Sequence, residues 1–387
     1  LKIIGAQLFP IRLPFTKAIG NAQGIVEERR GTLLRLAVDS GAAGGGRIEG
    51  WGEASPYPGF GLESLNGSRT VLASAARELL GNEIAAGARA ELGSRIIELT
   101  MSSSCARAAL ETAVLDVLAK TKRQPLFELL GSTNARDPLP LEIECNALVT
   151  GDDLDTLERS ARTEHANGFR SFKLKVAATT LERDLARVAR LREVVGADAE
   201  IRLDANQGYS KGDALPALEA FARYRIEYLE QPLAAPLLRD MAELREKSPV
   251  PLAADEAAVT EADALRVIDA GAADLIVIKP SALGGPSASL RIAVAARRAG
   301  LRVVVTSLLD SAIGVSAAHH VAIAIASQGE LPACGLATGA LLARDVADFE
   351  SPVAGCLPYP ELPGLGVEMD ESRVRRCSDG PIVDLRP

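Results

Sequence analysis

Two lysines stand two residues apart in the apolar run Phe172-Lys173-Leu174-Lys175-Val176. On a strand, alternate side chains share a face, so both ammonium groups would enter the same space. Each raises the cost of charging the other, which draws a lysine's pKa towards the range of a working base. Further along, short apolar runs end on charged or hydroxyl residues. These are Asp204 with Asn206, Glu230, Asp255 beside Glu256, Lys279, and Thr306 with Ser307. Asp204, Glu230 and Asp255 each follow the last by one strand–helix unit, which sets them side by side on neighbouring strands. Taken singly, such an acid caps a helix or pairs with an arginine as readily as it binds a metal. Three in succession repel one another unless a cation lies between them. Hard oxygen donors suit Mg²⁺, with Mn²⁺ as a substitute, and leave positions for water and substrate oxygens. Lysines around such a cation suit removal of a proton next to a carboxylate: the metal takes the carboxylate and stabilises the enediolate, and a lysine takes the proton.

The elements that must carry these residues lie between about 140 and 345. Apolar strands are predicted at Leu141–Leu148, Phe172–Val176, Glu200–Asp204, Glu227–Glu230, Pro251–Asp255, Asp274–Lys279 and Leu301–Thr306, with a weaker eighth near Leu331–Leu336. Amphipathic helices such as Leu181–Val195, Ala214–Tyr224, Ala262–Ala270 and Ser287–Ala299 alternate with them. Eight such units predict a parallel (β/α)8 barrel, whose strand C-termini carry the active site. A doubly wound sheet is the alternative, though no G-x-G-x-x-G follows the first strand. In the barrel, strands two and six lie opposite, so Lys279 faces Lys173 and Lys175 with the acids between. Lys279 has two other readings: an ion pair with a barrel acid, or the Schiff-base lysine of an aldolase.

Residues 1–130 read as a smaller α+β domain. Ile3–Leu13 is a strand ended by prolines, Arg30–Val38 alternates like a strand, and a Gly-rich turn leads to its hairpin partner at Ile48–Glu53. Helices are predicted at Arg69–Leu80 and Ser104–Ala119. The loop Ser55-Pro56-Tyr57-Pro58-Gly59-Phe60-Gly61 is either a surface turn with its aromatics packed locally or a lid over a site in the other domain. Residues 346–387 leave the barrel pattern, and are expected to pack back on the small domain.

The chain has 387 residues, 47% hydrophobic, with a formal net charge of −8. The size suits more than one domain, and the charge argues against nucleic acid or an anionic membrane as partner. An anionic substrate would then need local positive charge. Five scattered cysteines read as reduced thiols of a cytoplasmic protein. The first residues lack the order of a signal peptide, and no run approaches the ~20 apolar residues of a membrane span. Three histidines leave little material for histidine chemistry.

At Lys173-x-Lys175, Asp204-Ala205-Asn206, Glu230-Gln231-Pro232, Asp255-Glu256 and Ile278-Lys279-Pro280 the sequence resembles the enolase superfamily, in its muconate-lactonizing-enzyme subgroup. Pro363-Gly364-Leu365-Gly366-Val367 with Asp370 adds to the likeness. The resemblance implies an α+β capping domain (1–130), a modified (β/α)7β TIM-like barrel (140–345) and an essential Mg²⁺ on Asp204, Glu230 and Asp255. It implies Lys175 as acid/base on one face, Lys279 on the other, and Lys173 tuning Lys175. Within the subgroup, Gly50–Phe60, Asn146-Ala147-Leu148, Thr306–Gly314 and Gly335–Gly339 are similar to the o-succinylbenzoate synthases. The implied reaction is dehydration of a cyclohexadiene carboxylate with a succinyl side chain, in menaquinone synthesis. The implied substrate contacts are Tyr57, Phe60, Asn146, Asn206, Ser307 and Leu308. A histidine stands at strand seven in the mandelate-racemase subgroup, where this chain has Thr306-Ser307. Dipeptide epimerases carry an acidic pair on the last strand, where this chain has Ala333–Thr338 without acids. Racemisation of N-succinylamino acids uses the same lysines and metal and stays open. Such relatives are often dimers or octamers, so a homo-oligomer is open as well.

Overall fold

Three long antiparallel strands open the chain: β1 (Lys2–Asn21), β2 (Gly24–Asp39) and β3 (Arg47–Ala54). The computed structural model describes residues 1–21, 24–41, 46–57, 60, 63–84, 89–131, 142–151 and 153–386. The middle of the Gly-rich turn, parts of the Ser55–Gly61 loop, and the connection at 132–141 lie outside these. The prolines do not end the first strand. Pro10 and Pro14 pair with Thr32 and Glu28 of β2, yet their carbonyls accept from Asp379 and Ala343 on the other side. A strand residue's N–H and C=O point the same way, so the missing donors face away from the β2 ladder.

Both faces of this sheet are covered. Leu8, Leu34 and Leu36 pack with helices α1 (Leu65–Leu79), α2 (Arg89–Leu99) and α3 (Ser104–Thr121). Leu33 and Trp51 pack into the large core of the second layer. The approach of α3 to β3 is close enough to require glycine. A Cβ on Gly50 would lie 2.1 Å from the Ala113 carbonyl oxygen, and one on Gly52 1.9 Å from that of Ala109.

After the short α4 (Leu126–Leu129) the chain alternates strand and helix. A first piece, β4 (Glu142–Glu144), is split off: it pairs antiparallel with β12 (Cys356–Pro358). The barrel begins with β5 (Asn146–Val149), so the predicted Leu141–Leu148 strand is divided at Cys145. Then come α5 (Leu154–Ala166), β6 (Ser171–Lys175), α6 (Leu181–Val195), β7 (Glu200–Asp204), α7 (Lys211–Ala222), β8 (Ile226–Glu230) and α8 (Leu238–Lys247). They are followed by β9 (Leu252–Ala254), α9 (Glu261–Ala270), β10 (Leu275–Ile278), α10 (Pro280–Leu283), α11 (Pro286–Arg298), β11 (Arg302–Val305) and α12 (Ala312–Ala326). Strands β5 to β11 form one parallel sheet in chain order. Two parallel bridges, Cys145 to Cys334 and Thr306 to Gly335, join its edges, so the weak eighth strand shrinks to two residues. Capping side chains start the helices: Asp153, Thr180, Ser210 and Thr260 each accept a backbone N–H three residues on.

The chain's end returns to the first sheet. After α13 (Glu371–Arg376), β13 (Val383–Leu385) pairs with β1, Ala6 opposite Leu385. Among the described residues no helix is long and apolar enough to cross a membrane. His319 and His320 are buried in α12, where burial holds their pKa values down at about 3 and about 4, so both are neutral core residues.

The start of α12 joins the two layers. Glu53 of β3 accepts from the backbone N–H groups of Ser311 and Gly314, each at 3.1 Å. Asp345 accepts from Ala312 N–H at 2.9 Å. Burial, with repulsion from Glu53, pushes Asp345 up to about 7 and Asp310 up to about 6. A raised carboxyl pKa means the folded chain holds protons that the unfolded chain releases, so stability falls as pH rises through that window. The thermal midpoint of the unmodified protein relative to that of Asp345→Asn should therefore fall between about pH 4 and about pH 7, so the two proteins should differ in slope there. An identical slope in the variant, by calorimetry, would remove Asp345 from the account.

Candidate active site

The strand pattern aims the charged residues at one end of the barrel. On β6, Phe172 and Leu174 are buried in the outer layer, which turns Lys173 and Lys175 inward. Below them Tyr228, Ala253, Leu275, Val277 and Val304 fill the interior. Arg202 closes it further, with Nε donating to Glu227 at 2.6 Å and Nη1 to Asn146 Oδ1 at 3.1 Å. The reacting end is thus an open cup on a packed floor.

Lys173 lies between two acids, donating to Glu230 Oε1 at 2.7 Å and standing 3.0 Å from Asp204 Oδ2. Burial opposes its charge, but Asp204 and Glu230 outweigh that and hold its pKa well above the usual lysine value. Lys175 donates to Asn206 Oδ1 at 2.8 Å and has no such carboxylate clasp. Burial lowers its pKa, Asp204 opposes the shift, and Lys173 adds to it. The two lysines are therefore not equivalent: the pair predicted to depress each other splits into one fixed cation and one weakened acid. On the facing wall Lys279 donates to Asp255 Oδ2 at 2.6 Å. Phe60 lies over it, ring centre 4.1 Å from Nζ.

Four buried carboxylates, Asp204, Glu230, Asp255 and Glu256, share this cup with three lysines. Burial works against the charge of Asp204, yet Lys173 and Lys175 hold its pKa down at about 2. The others go the opposite way. Burial and the neighbouring acids push Glu230 up to about 8, and raise Asp255 and Glu256. Asp255 Oδ1 and Glu256 Oε2 are buried without a hydrogen-bond partner. Among the described residues no three acids, histidines or cysteines enclose a common point, because the lysines stand between them. The donor set still fits a hard divalent cation: it is all oxygen, its four carboxyl groups outnumber the three lysines, and two of its oxygens lack partners.

The remaining residues picked out in the sequence line the same cavity. Tyr57 and Phe60 cover one side. Ser307 shares a 2.7 Å hydrogen bond with Thr338, and Leu308 is buried beside them. Asn146 has its carbonyl oxygen engaged by Arg202. Asn206 takes a left-handed backbone, φ +40°, and donates to Glu256 at 3.2 Å. Glu256, Tyr228, Ile19 and Leu309, outside the predicted site residues, line the cavity as well. Glu256 had a signal: it follows Asp255 where the strand has already ended in a tight turn, so adjacent acids can face the same way.

A parallel barrel with acids and lysines at its mouth, capped by an antiparallel sheet, defines an enolase-type protein. Residues 4–131 match the mandelate racemase / muconate lactonizing enzyme N-terminal domain, and residues 156–373 the enolase C-terminal domain-like family. The chain belongs to the enolase superfamily, in its muconate-lactonizing-enzyme subgroup. It is 30% identical over 370 residues to the L-Ala-D/L-Glu epimerase of Bacillus subtilis, covering 95% of this chain and 97% of that one. It is 40% identical over 228 residues to the o-succinylbenzoate synthase of Thermobifida fusca, covering 58% of this chain and 68% of that protein. The crystal structure of N-succinyl Arg/Lys racemase from Bacillus cereus superposes with a TM-score of 0.88 at 26% identity, covering 99% of this chain and all of that one.

Gln231 holds the acids in place. Its Oε1 accepts from the backbone N–H of both Asp255 and Ala257 at 3.0 Å, and its Nε2 donates to Leu233 O at 2.8 Å. Gln231→Ala would leave two buried N–H groups unpaired, a loss on the order of 2–4 kcal/mol by urea unfolding. A loss below about 0.5 kcal/mol would mean that water takes over both bonds.

Proposed function

We propose that the protein is a Mg²⁺-dependent lyase of the o-succinylbenzoate synthase type. It removes the proton α to the carboxylate of a cyclohexadiene substrate, then loses the β-hydroxyl from the same face to give 2-succinylbenzoate. The observation that carries this is the unequal setting of the paired lysines: Lys173 is clasped between Glu230 at 2.7 Å and Asp204 at 3.0 Å, whereas Lys175 beside it meets the Asn206 amide oxygen at 2.8 Å and faces the cavity.

Lys175 Nζ, in its neutral fraction, takes the α-proton. The same nitrogen, now an ammonium, returns a proton to the departing hydroxyl, which is why both events use one face. Lys279, on the opposite wall and paired with Asp255, contributes positive charge to the enediolate. Lys173 stabilises the substrate carboxylate and keeps Lys175 from holding its proton. Mg²⁺, which Asp204, Glu230 and Asp255 would hold, would act as a Lewis acid on the substrate carboxylate and favour the ionised form of those acids. The apolar walls Tyr57, Phe60 and Leu308 suit a carbocycle, and aromatisation lowers the demand for specific contacts. The stretch Ala333–Thr338 brings no acid to pair with a free substrate ammonium, which argues against dipeptide epimerisation.

A second reading, racemisation of N-succinylamino acids, is favoured by lysines on both walls, since Lys279 could serve the opposite face. An assay of the purified protein with Mg²⁺ against the cyclohexadiene carboxylate and a panel of N-succinylamino acids separates the two. Elimination should vanish in EDTA and return with Mg²⁺, and Lys175→Ala should lower kcat at least ~10³-fold. Full turnover by Lys175→Ala would sink the mechanism, and racemisation without elimination would select the second reading.

A further inference from the structure

Outside the cup, one buried cation holds two of its walls. Arg29 on β2 is 2% exposed, and it does not line the cavity. Its Nη2 donates to Ser55 O at 2.5 Å and its Nη1 to Pro56 O at 3.3 Å, both in the stretch that leads to Tyr57. Its Nε donates to Leu309 O at 3.2 Å, in the loop that follows β11. The Tyr57 ring lies 5.0 Å from the guanidinium carbon, and Asp310 Oδ1 is 3.6 Å from Nη2.

The barrel loop needs this hold. Leu309 has φ +58°, a left-handed conformation that a leucine adopts only when its surroundings impose it. Asp310 Oδ2 accepts from Leu308 N–H at 2.8 Å and from the Ser281 hydroxyl at 3.0 Å, which ties the same loop to the segment just after Lys279. Tyr57, Leu308 and Leu309 all face the cavity. A planar fork with donors in fixed directions can meet three carbonyls in two loops; a lysine on a flexible stem cannot.

We infer that Arg29 is a positioning residue that fixes the apolar wall made by Tyr57, Leu308 and Leu309, and so decides which substrate side chains the cup accepts. Its link to specificity rests on the function proposed above; its hold on the loops does not. The groups that move protons stand on other strands, so their chemistry is left alone when the wall shifts.

The test compares Arg29→Met and Arg29→Lys with the unmodified protein, loaded with Mg²⁺. In both variants KM for the cyclohexadiene carboxylate should rise about 10-fold or more while kcat stays within about 3-fold. The preference for that substrate over small N-succinylamino acids should shrink. Arg29→Lys should fail to rescue, because the fork rather than the charge is required. Unchanged KM and preference would overturn the inference, as would equal losses in kcat and kcat/KM, or failure of both variants to fold. Hydrogen exchange, which needs no substrate, separates this from the function: peptides spanning 306–311 should exchange about 10-fold faster or more in Arg29→Met, with β6 unchanged. Unaltered exchange there would refute the hold even if the protein proved active. Inactivity of the unmodified protein on every substrate, with exchange altered as expected, would refute the function and leave the hold standing.

Discussion

The mouth of the barrel buries more carboxylate than ammonium, and this imbalance constrains the rest of the molecule. A buried unpaired charge is costly, so each acid must find a lysine, a backbone donor or a cation. Lys173 serves Asp204 and Glu230, and Lys279 serves Asp255. Glu256 receives a hydrogen bond from Asn206, and one of its oxygens remains without a partner. An anionic substrate would worsen the imbalance unless more positive charge entered with it. The same shortage accounts for the unequal lysines, because the carboxylates commit one of them and leave the other.

The architecture answers this constraint by holding the acids on neighbouring strands and covering them. Parallel ladders set Lys175 beside Asp204, and Asp204 beside Glu230. Gln231 then secures the next strand end through backbone bonds. The cover depends on a polar joint between layers. Glu53 acts as a foreign cap on a barrel helix, Arg29 grips a loop on each side, and Asp116 accepts from Trp51 and Leu365 N–H groups. These bonds have directions, unlike apolar packing, so they fix where the cover sits as well as holding it there.

The barrel was readable because its pattern is local. Six of the predicted strands, from Phe172–Val176 to Leu301–Thr306, fall within a residue or so of those found, since each is a short apolar run between a helix and a charged or hydroxyl end. The misses have physical causes. Pro10 and Pro14 look like strand breakers until a second strand shows on which side their missing donors lie. The Leu141–Leu148 run is uniform in sequence, and divides at Cys145 because distant partners, Pro358 and Ser171, claim its two halves.

The sequence by itself determined which groups could meet: residues at strand ends one repeat apart must share a barrel mouth. It determined the lysine pair too, because alternation along a strand is a property of the backbone. Only the tertiary structure decided how those groups differ. Lys173 and Lys175 are alike in sequence, and only the acids above Lys173 and the amide above Lys175 make one a fixed cation and the other a weakened acid. Likewise nothing local marks Arg29, whose three carbonyl partners come from residues 26, 27 and 280 positions away. Local pattern sets direction along an element, whereas a pKa and a loop's position depend on charges and donors that the folded chain alone brings near.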